Sequence, residues 1–357
     1  MCDSDSTTHS DPSTDSSITA SCLPSTKDEE FWYSDGTVVL IESSGILAFK
    51  VYHGLLARSS HVFREMLAFP APSTAPSLHG VPVVHLSDSA QDLRHLLQVV
   101  FNKPMVTPAP QSVSFDHISA VIRLAHKYQM DDILEEALAV LRGYYTTRYI
   151  SWTDRADNIL AATPSHAIDA VLLARLTDAH ALLPTALMHC SALGPRVVHG
   201  HTRTDGTVIR LADADVVRAL DGRAELLRRD SRRLRAITLY LVGEHPGVQG
   251  SRPDLSRVCF SREQCKAAMK HIWEVFFGKE SRYETSDLRP WAEAIPSLVN
   301  AAELWAPRLC QICSLRWRSW DDEVRLTRTW KELPEIMGVE VDGWQEDCTS
   351  LNDHDTA

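Results

Sequence analysis

The chain has 357 residues, 47 acidic against 36 basic, for a net charge of −11 at pH 7. That balance argues against whole-protein affinity for nucleic acid or anionic membrane surfaces. With 44% hydrophobic and 23% charged residues, it reads as a globular protein with room for two cores. There is no apolar run of about 18 residues, so no membrane span is expected. No basic-then-apolar leader opens the chain, which predicts a cytoplasmic or nuclear rather than secreted protein. Its eight cysteines are then expected to be reduced.

Residues 1–26 are mostly Ser, Thr and Asp, a composition that cannot bury enough surface to order itself; a disordered tail is expected there, and another over 348–357. A first domain is assigned to 27–149. Phe31 to Ile41 and Leu47 to Tyr52 are β-rich runs, and Glu42-Ser43-Ser44-Gly45 between them predicts a hairpin. His53 to Leu67 has the period of a helix. Phe69 to Pro82 is a Pro-rich loop, followed by a short buried strand at Val83 to Leu86. Ser87 or Ser89 is placed to cap a helix carrying Leu93, Leu96, Leu97 and Val100. After a second loop at Pro104 to Pro110, Ser114 or Asp116 opens a helix through Ala125. A further helix runs through Leu141, with Gly143 as its stop.

These blocks, in this order, resemble a BTB/POZ domain. Phe49, Val51, Tyr52, Leu56, Ala57, Ser60 and Phe63 carry the family's Phe-x-Val to Leu-Ala-x-x-Ser-x-x-Phe pattern. Val84 to Asp88 and Leu93 to Phe101 are similar to its middle section, and Ile122 to Met130 to its Leu-Ala-x-Lys-Tyr block. The phrasing Asp-Gly-x-Val-Val-Leu with Val-Pro-Val-Val-His-Leu-Ser-Asp-Ser is especially similar to fungal BTB proteins with helical C-terminal regions. The resemblance implies an α+β fold and self-association as a homodimer, with Phe31, Trp32, Asp35, Thr37 and His53 at the interface. Animal members place an acid and a base where this chain has Thr37 and His53, so the charged pocket of those members is in doubt. Asp35, two residues earlier, is a candidate to compensate. For His53 the simpler reading is a histidine near a helix start that bonds backbone carbonyls. The resemblance also raises a Cullin-3 ubiquitin-ligase adapter role. Adapters often carry a hydrophobic-x-Glu element in the loop before the third strand, and Phe69 to Gly80 contains no Glu.

Residues 150–347 read as a mainly helical second region. Helical candidates are Ala167 to Ala181, Asp213 to Leu227, Leu234 to Leu241, Gln264 to Phe277 and Cys310 to Trp330. Val197 to Val208 is less regular, and Glu244 to Asp254 reads as a loop. No repeat of 20 to 50 residues is present. Cys259-x5-Cys265 and Cys310-x2-Cys313 could chelate a structural zinc, since two thiolates on one turn reach a tetrahedral ion. The alternatives are buried thiols filling small gaps, or a loose pair that can oxidise. Trp317, Trp320 and Trp330 read as core, the minority reading being an aromatic groove for a partner. The Arg228 to Arg235 run is a solvated helix face or, alternatively, the import element of a nuclear transcriptional regulator. No helix-turn-helix or two-His finger supports nucleic-acid reading. Hydrolase, P-loop and His-Glu-x-x-His motifs are absent, and His189-Cys190 are neighbours that point apart on a helix. No catalytic or cofactor-binding residues are assigned. The expected function is a non-enzymatic protein–protein interaction protein.

Overall fold

Four consecutive β-favouring residues, Val38 to Ile41, are buried on both faces of β2 (Val38–Ile41). Such a strand needs cover on both sides and belongs inside a sheet. The computed structural model describes residues 24, 26–68, 77–78, 80–101, 112–153, 159–242, 259, 261–277, 309–320 and 327–344. The chain is mixed α+β, with helices predominating and small sheets. It divides into two compact units, 1–101 and 102–357.

In the first unit, β2 is flanked by β3 (Leu47–Val51), antiparallel, and β5 (Val81–His85), parallel. β1 (Thr26–Trp32) adds to β3 in parallel, and β4 (Ser77–Leu78) to β5 in antiparallel, for the order β1-β3-β2-β5-β4. Val39, Ile41 and Ala48 form one face with Trp32, Leu78, Val81 and Val83. The expected hairpin forms as β2 and β3. Its turn is held by the Glu42 carboxylate, which accepts the Ile46 and Leu47 N–H groups at 2.9 and 3.0 Å. The helix expected from His53 is two, α1 (His53–Ser59) and α2 (His61–Ala68), packed on each other. Ser60 lies extended between them and its hydroxyl accepts the Phe63 N–H at 3.0 Å, restarting the helix. α3 (Ala90–Val100) starts at Ser89, whose side chain accepts the Asp92 N–H at 3.1 Å. The strand expected to be buried after the loop is only half-buried: Val83 and Val84 are partly exposed and Pro82 and His85 exposed.

β1 takes Phe31 and Trp32 out of the first expected run, of which only Val38 to Ile41 form β2, and adds the stretch Thr26 to Glu30, where no strand was expected. The expected tails lie outside the described residues, except at residue 24 and at Thr26, which opens β1. Most of the first Pro-rich loop and all of Pro104 to Pro110 also lie outside them, and so does Glu244 to Asp254.

The second unit begins with β6 (Val113–Ser114), paired in parallel with β7 (Leu160–Ala161). Then come α4 (Phe115–Lys127), α5 (Asp131–Tyr144) and α6 (Tyr149–Thr153). α4 and α5 cluster with the helices that follow them rather than with the sheet. α5 continues through Gly143 instead of stopping there. α7 (His166–Leu176) is followed by a short 3₁₀ turn and α8 (Leu183–Ala192), which is buried over almost its whole circumference. A second 3₁₀ stretch, Gly194–His199, leads to the hairpin of β8 (His201–Thr202) and β9 (Val208–Ile209). The two helical candidates in 213–241 are one helix, α9 (Asp213–Val242). α10 (Arg262–Phe277), α11 (Gln311–Trp320), α12 (Arg328–Lys331) and α13 (Leu333–Ile336) complete the described elements.

Candidate metal centre

The strongest chemical signal of the sequence converges in space. Cys259 precedes α10 and Cys265 sits in its first turn. Cys310 precedes α11, with its carbonyl accepting the Ser314 N–H at 2.9 Å, and Cys313 lies one turn on. The helical start puts the Cys310 and Cys313 side chains on one side. The four sulfurs all lie within 4.8 Å of one another. Cys259 Sγ and Cys310 Sγ are 4.0 Å apart, and the Cys310 N–H donates to Cys265 Sγ at 3.2 Å. A tetrahedral zinc with Zn–S bonds of about 2.3 Å has S···S edges of roughly 3.8 Å, so a small contraction would close the cage.

The protonation behaviour fits a site that wants a cation. Burial pushes the Cys265 thiol up to about 11, and burial with thiol neighbours pushes Cys313 well above its usual range. Burial also opposes ionisation of Cys310, but the Cys313 N–H and the surrounding thiols outweigh it and bring it to about 7. Cys310 is the thiol closest to ionising near neutral pH, and four thiolates together are favoured only when a cation neutralises them. Ala268 and Met269 on α10 and Trp317 on α11 are buried nearby in sequence, and both helices pack on α9.

A second convergence had no motif to announce it. Asp116 on α4, His166 on α7 and His201 on β8 bring ligand atoms within 4.8 Å. His166 Nε2 is 4.0 Å from Asp116 Oδ1, its ring stacks on Phe115 at 4.4 Å, and His201 meets it edge-on at 4.8 Å. The Thr163 N–H donates to His166 Nδ1 at 2.9 Å. The neutral ring therefore carries its proton on Nε2, where a metal would need a lone pair. That hydrogen bond makes His166 a poor ligand and the trio a polar junction. Burial and the neighbouring His201 lower the His166 pKa, against Asp116 and Asp169. Beside it, buried Asp169 takes both Arg203 (Nη2 to Oδ1 at 2.6 Å) and Arg123 (3.4 Å), joining α4, α7 and the β8–β9 hairpin.

In the first unit, Phe31 is 2% exposed and packs toward Phe101 at 6.3 Å, while Trp32 is half-buried under Lys27. Asp35 accepts the Tyr52 hydroxyl at 2.7 Å, so its partner is not His53. The Tyr52 bond holds the Asp35 carboxyl below its usual range. Thr37 Oγ1 accepts the His53 N–H at 2.9 Å and lies 2.8 Å from His53 Nδ1. The partner of His53 is thus a hydroxyl rather than the expected backbone carbonyl.

Other expectations divide. Trp317 and Trp330 are buried, Trp330 donating to the Thr147 carbonyl at 3.1 Å and stacking with Trp344 at 5.4 Å. The Trp320 side chain lies outside the described residues. The arginine run is a solvated face only at Arg228, Arg232 and Arg235. Arg229 instead reaches Glu225 and Glu332, Arg233 reaches Thr329, and Asp230 is buried. Cys190 is buried, which raises its pKa far above the ordinary thiol range, and His189 packs among Tyr144, Tyr145 and Trp152. No helix of the described residues is long and apolar enough to cross a membrane. No family model matches the chain, and neither the curated proteins nor the solved structures contain a match.

Proposed function

We propose that this is a non-enzymatic protein–protein interaction protein, with a BTB/POZ-like first part that self-associates and a helical region that presents a partner surface. The helical region is braced by a structural zinc on Cys259, Cys265, Cys310 and Cys313. The observation that carries the zinc part of the reading is the convergence of those four sulfurs within 4.8 Å. Four thiolates fill a tetrahedral ion's coordination and leave no position for water or substrate, which makes such a site structural rather than catalytic. The hairpin, the paired helices α1 and α2 and the β5–α3 segment support the BTB-like reading through their order. The test is light scattering of the full chain with metal analysis of the same sample. A two-chain mass at tens of micromolar, with about one zinc per chain, is expected. A monomer at that concentration would overturn self-association, and a metal-free reduced protein would overturn the zinc.

A further inference from the structure

We propose that the four-cysteine cluster is also a site of reversible oxidation, in which the Cys310 thiolate attacks a peroxide-class oxidant and Cys259 closes the disulfide. The proposal rests on the zinc reading for its metal-release step, but not for the pairing of the sulfurs.

The four cysteines are not equivalent. Cys265 and Cys313 are 3% and 4% exposed, whereas Cys259 and Cys310 are partly open. The two open sulfurs are also the pair 4.0 Å apart, so an approach of roughly 2 Å makes a disulfide. Cys310 stands just ahead of the ten-residue α11, at its open end rather than within its ladder. Cys259 lies ahead of α10 rather than inside it, whereas Cys265 is tied into that helix by its N–H bond to the Ser261 carbonyl. The sulfur that must move is therefore the one whose backbone no helical ladder holds.

In the first step the Cys310 thiolate attacks one peroxide oxygen. The O–O bond breaks, that oxygen stays on sulfur as a sulfenic acid, and the other leaves as hydroxide and takes a proton to become water. In the second step the Cys259 thiolate attacks the Cys310 sulfur and expels hydroxide, which becomes a second water. Two thiolates, one hydrogen peroxide and two protons give one disulfide and two waters; sulfur is oxidised and the peroxide oxygens are reduced. Cys265 and Cys313 then remain as the ion's only thiolates, and zinc departs. A covalent bridge replaces the metal between two segments that both pack on α9.

The experiment uses the reduced full chain, its metal content measured first, titrated with hydrogen peroxide while a chromogenic chelator reports free zinc. Disulfides are mapped by peptide mass spectrometry at each dose, with fully buried Cys190 as the internal reference that stays reduced. The expected result is one zinc released per Cys259–Cys310 disulfide, reversed by a dithiol with zinc. In Cys259→Ser, a sulfenic acid trapped by dimedone at Cys310 is expected in place of the disulfide. Zinc retained while peroxide is consumed elsewhere would overturn the proposal, as would a Cys310–Cys313 disulfide forming first. A chain that carries no zinc would refute the metal reading separately, and the mapped pairing would still decide which sulfurs react.

Discussion

Buried carboxylates do the most work at the scale of single residues. Asp169 holds two half-buried guanidinium groups, and removing it takes the buried counter-charge from both. Asp169→Ala should therefore cost about 3–5 kcal/mol in urea unfolding. Glu135→Ala, which breaks the exposed pair with Arg142, should leave the urea midpoint almost unchanged, because water and salt screen an exposed pair. Glu42 makes a pH prediction. Burial raises its pKa, but the Ser44 hydroxyl and the Leu47, Ser44 and Ile46 N–H groups outweigh burial and hold it at about 2, against an ordinary 4.5. A carboxyl depressed by folding contributes stability that is complete above 4.5 and lost as pH falls toward 2. Glu42→Gln should flatten that part of the stability–pH curve and cost about 1–3 kcal/mol near neutrality.

At the scale of elements, two glycines separate a backbone constraint from a packing one. Gly200 has φ +83°, and a Cβ there would lie 2.1 Å from the Ile209 carbonyl oxygen on the paired strand β9. Gly200→Ala must part the β8–β9 hairpin or distort the turn, at a cost of about 3 kcal/mol. Gly222 lies inside α9, where a Cβ would meet Met337 Sδ at 2.6 Å. That contact is the end of a flexible side chain, and the helix gains about 1 kcal/mol from alanine. Gly222→Ala is expected to stay within about 1 kcal/mol of the parent, checked by the same unfolding titration. β1 shows why an element can be missed. Its charged first part, Thr26 to Glu30, has no strand signature, and its place is secured by a distant partner: Asp28, 3% exposed, accepts Arg94 Nη2 at 2.6 Å and the Phe31 N–H at 2.8 Å. α8 was read only as a helix bearing His189 and Cys190, without bounds, since a helix apolar on all sides has no amphipathic period to mark its ends.

At the scale of the whole molecule, the cysteine cluster links segments 51 residues apart. Chelation of the reduced protein should lower the melting temperature by about 5 °C or more if zinc braces the helices. The quadruple Cys→Ser variant should melt at the chelated temperature and show no further response; a chelator without effect on either protein would remove the metal's structural role. The hairpin, α3 with its Ser89 cap and the amphipathic helices could be read in the sequence because local periodicity and turn chemistry dictate them. The four thiols were legible as two pairs for the same reason, the spacing within each pair being short. Their meeting in one site was an expectation as well, and the four sulfurs do converge; the Asp169 hub, the inward turn of Arg229 and Arg233 and the Asp116–His166–His201 junction were not legible. Those depend on which helices pack together, and packing is settled by the summed burial of side chains far apart in the chain, a quantity no local window contains.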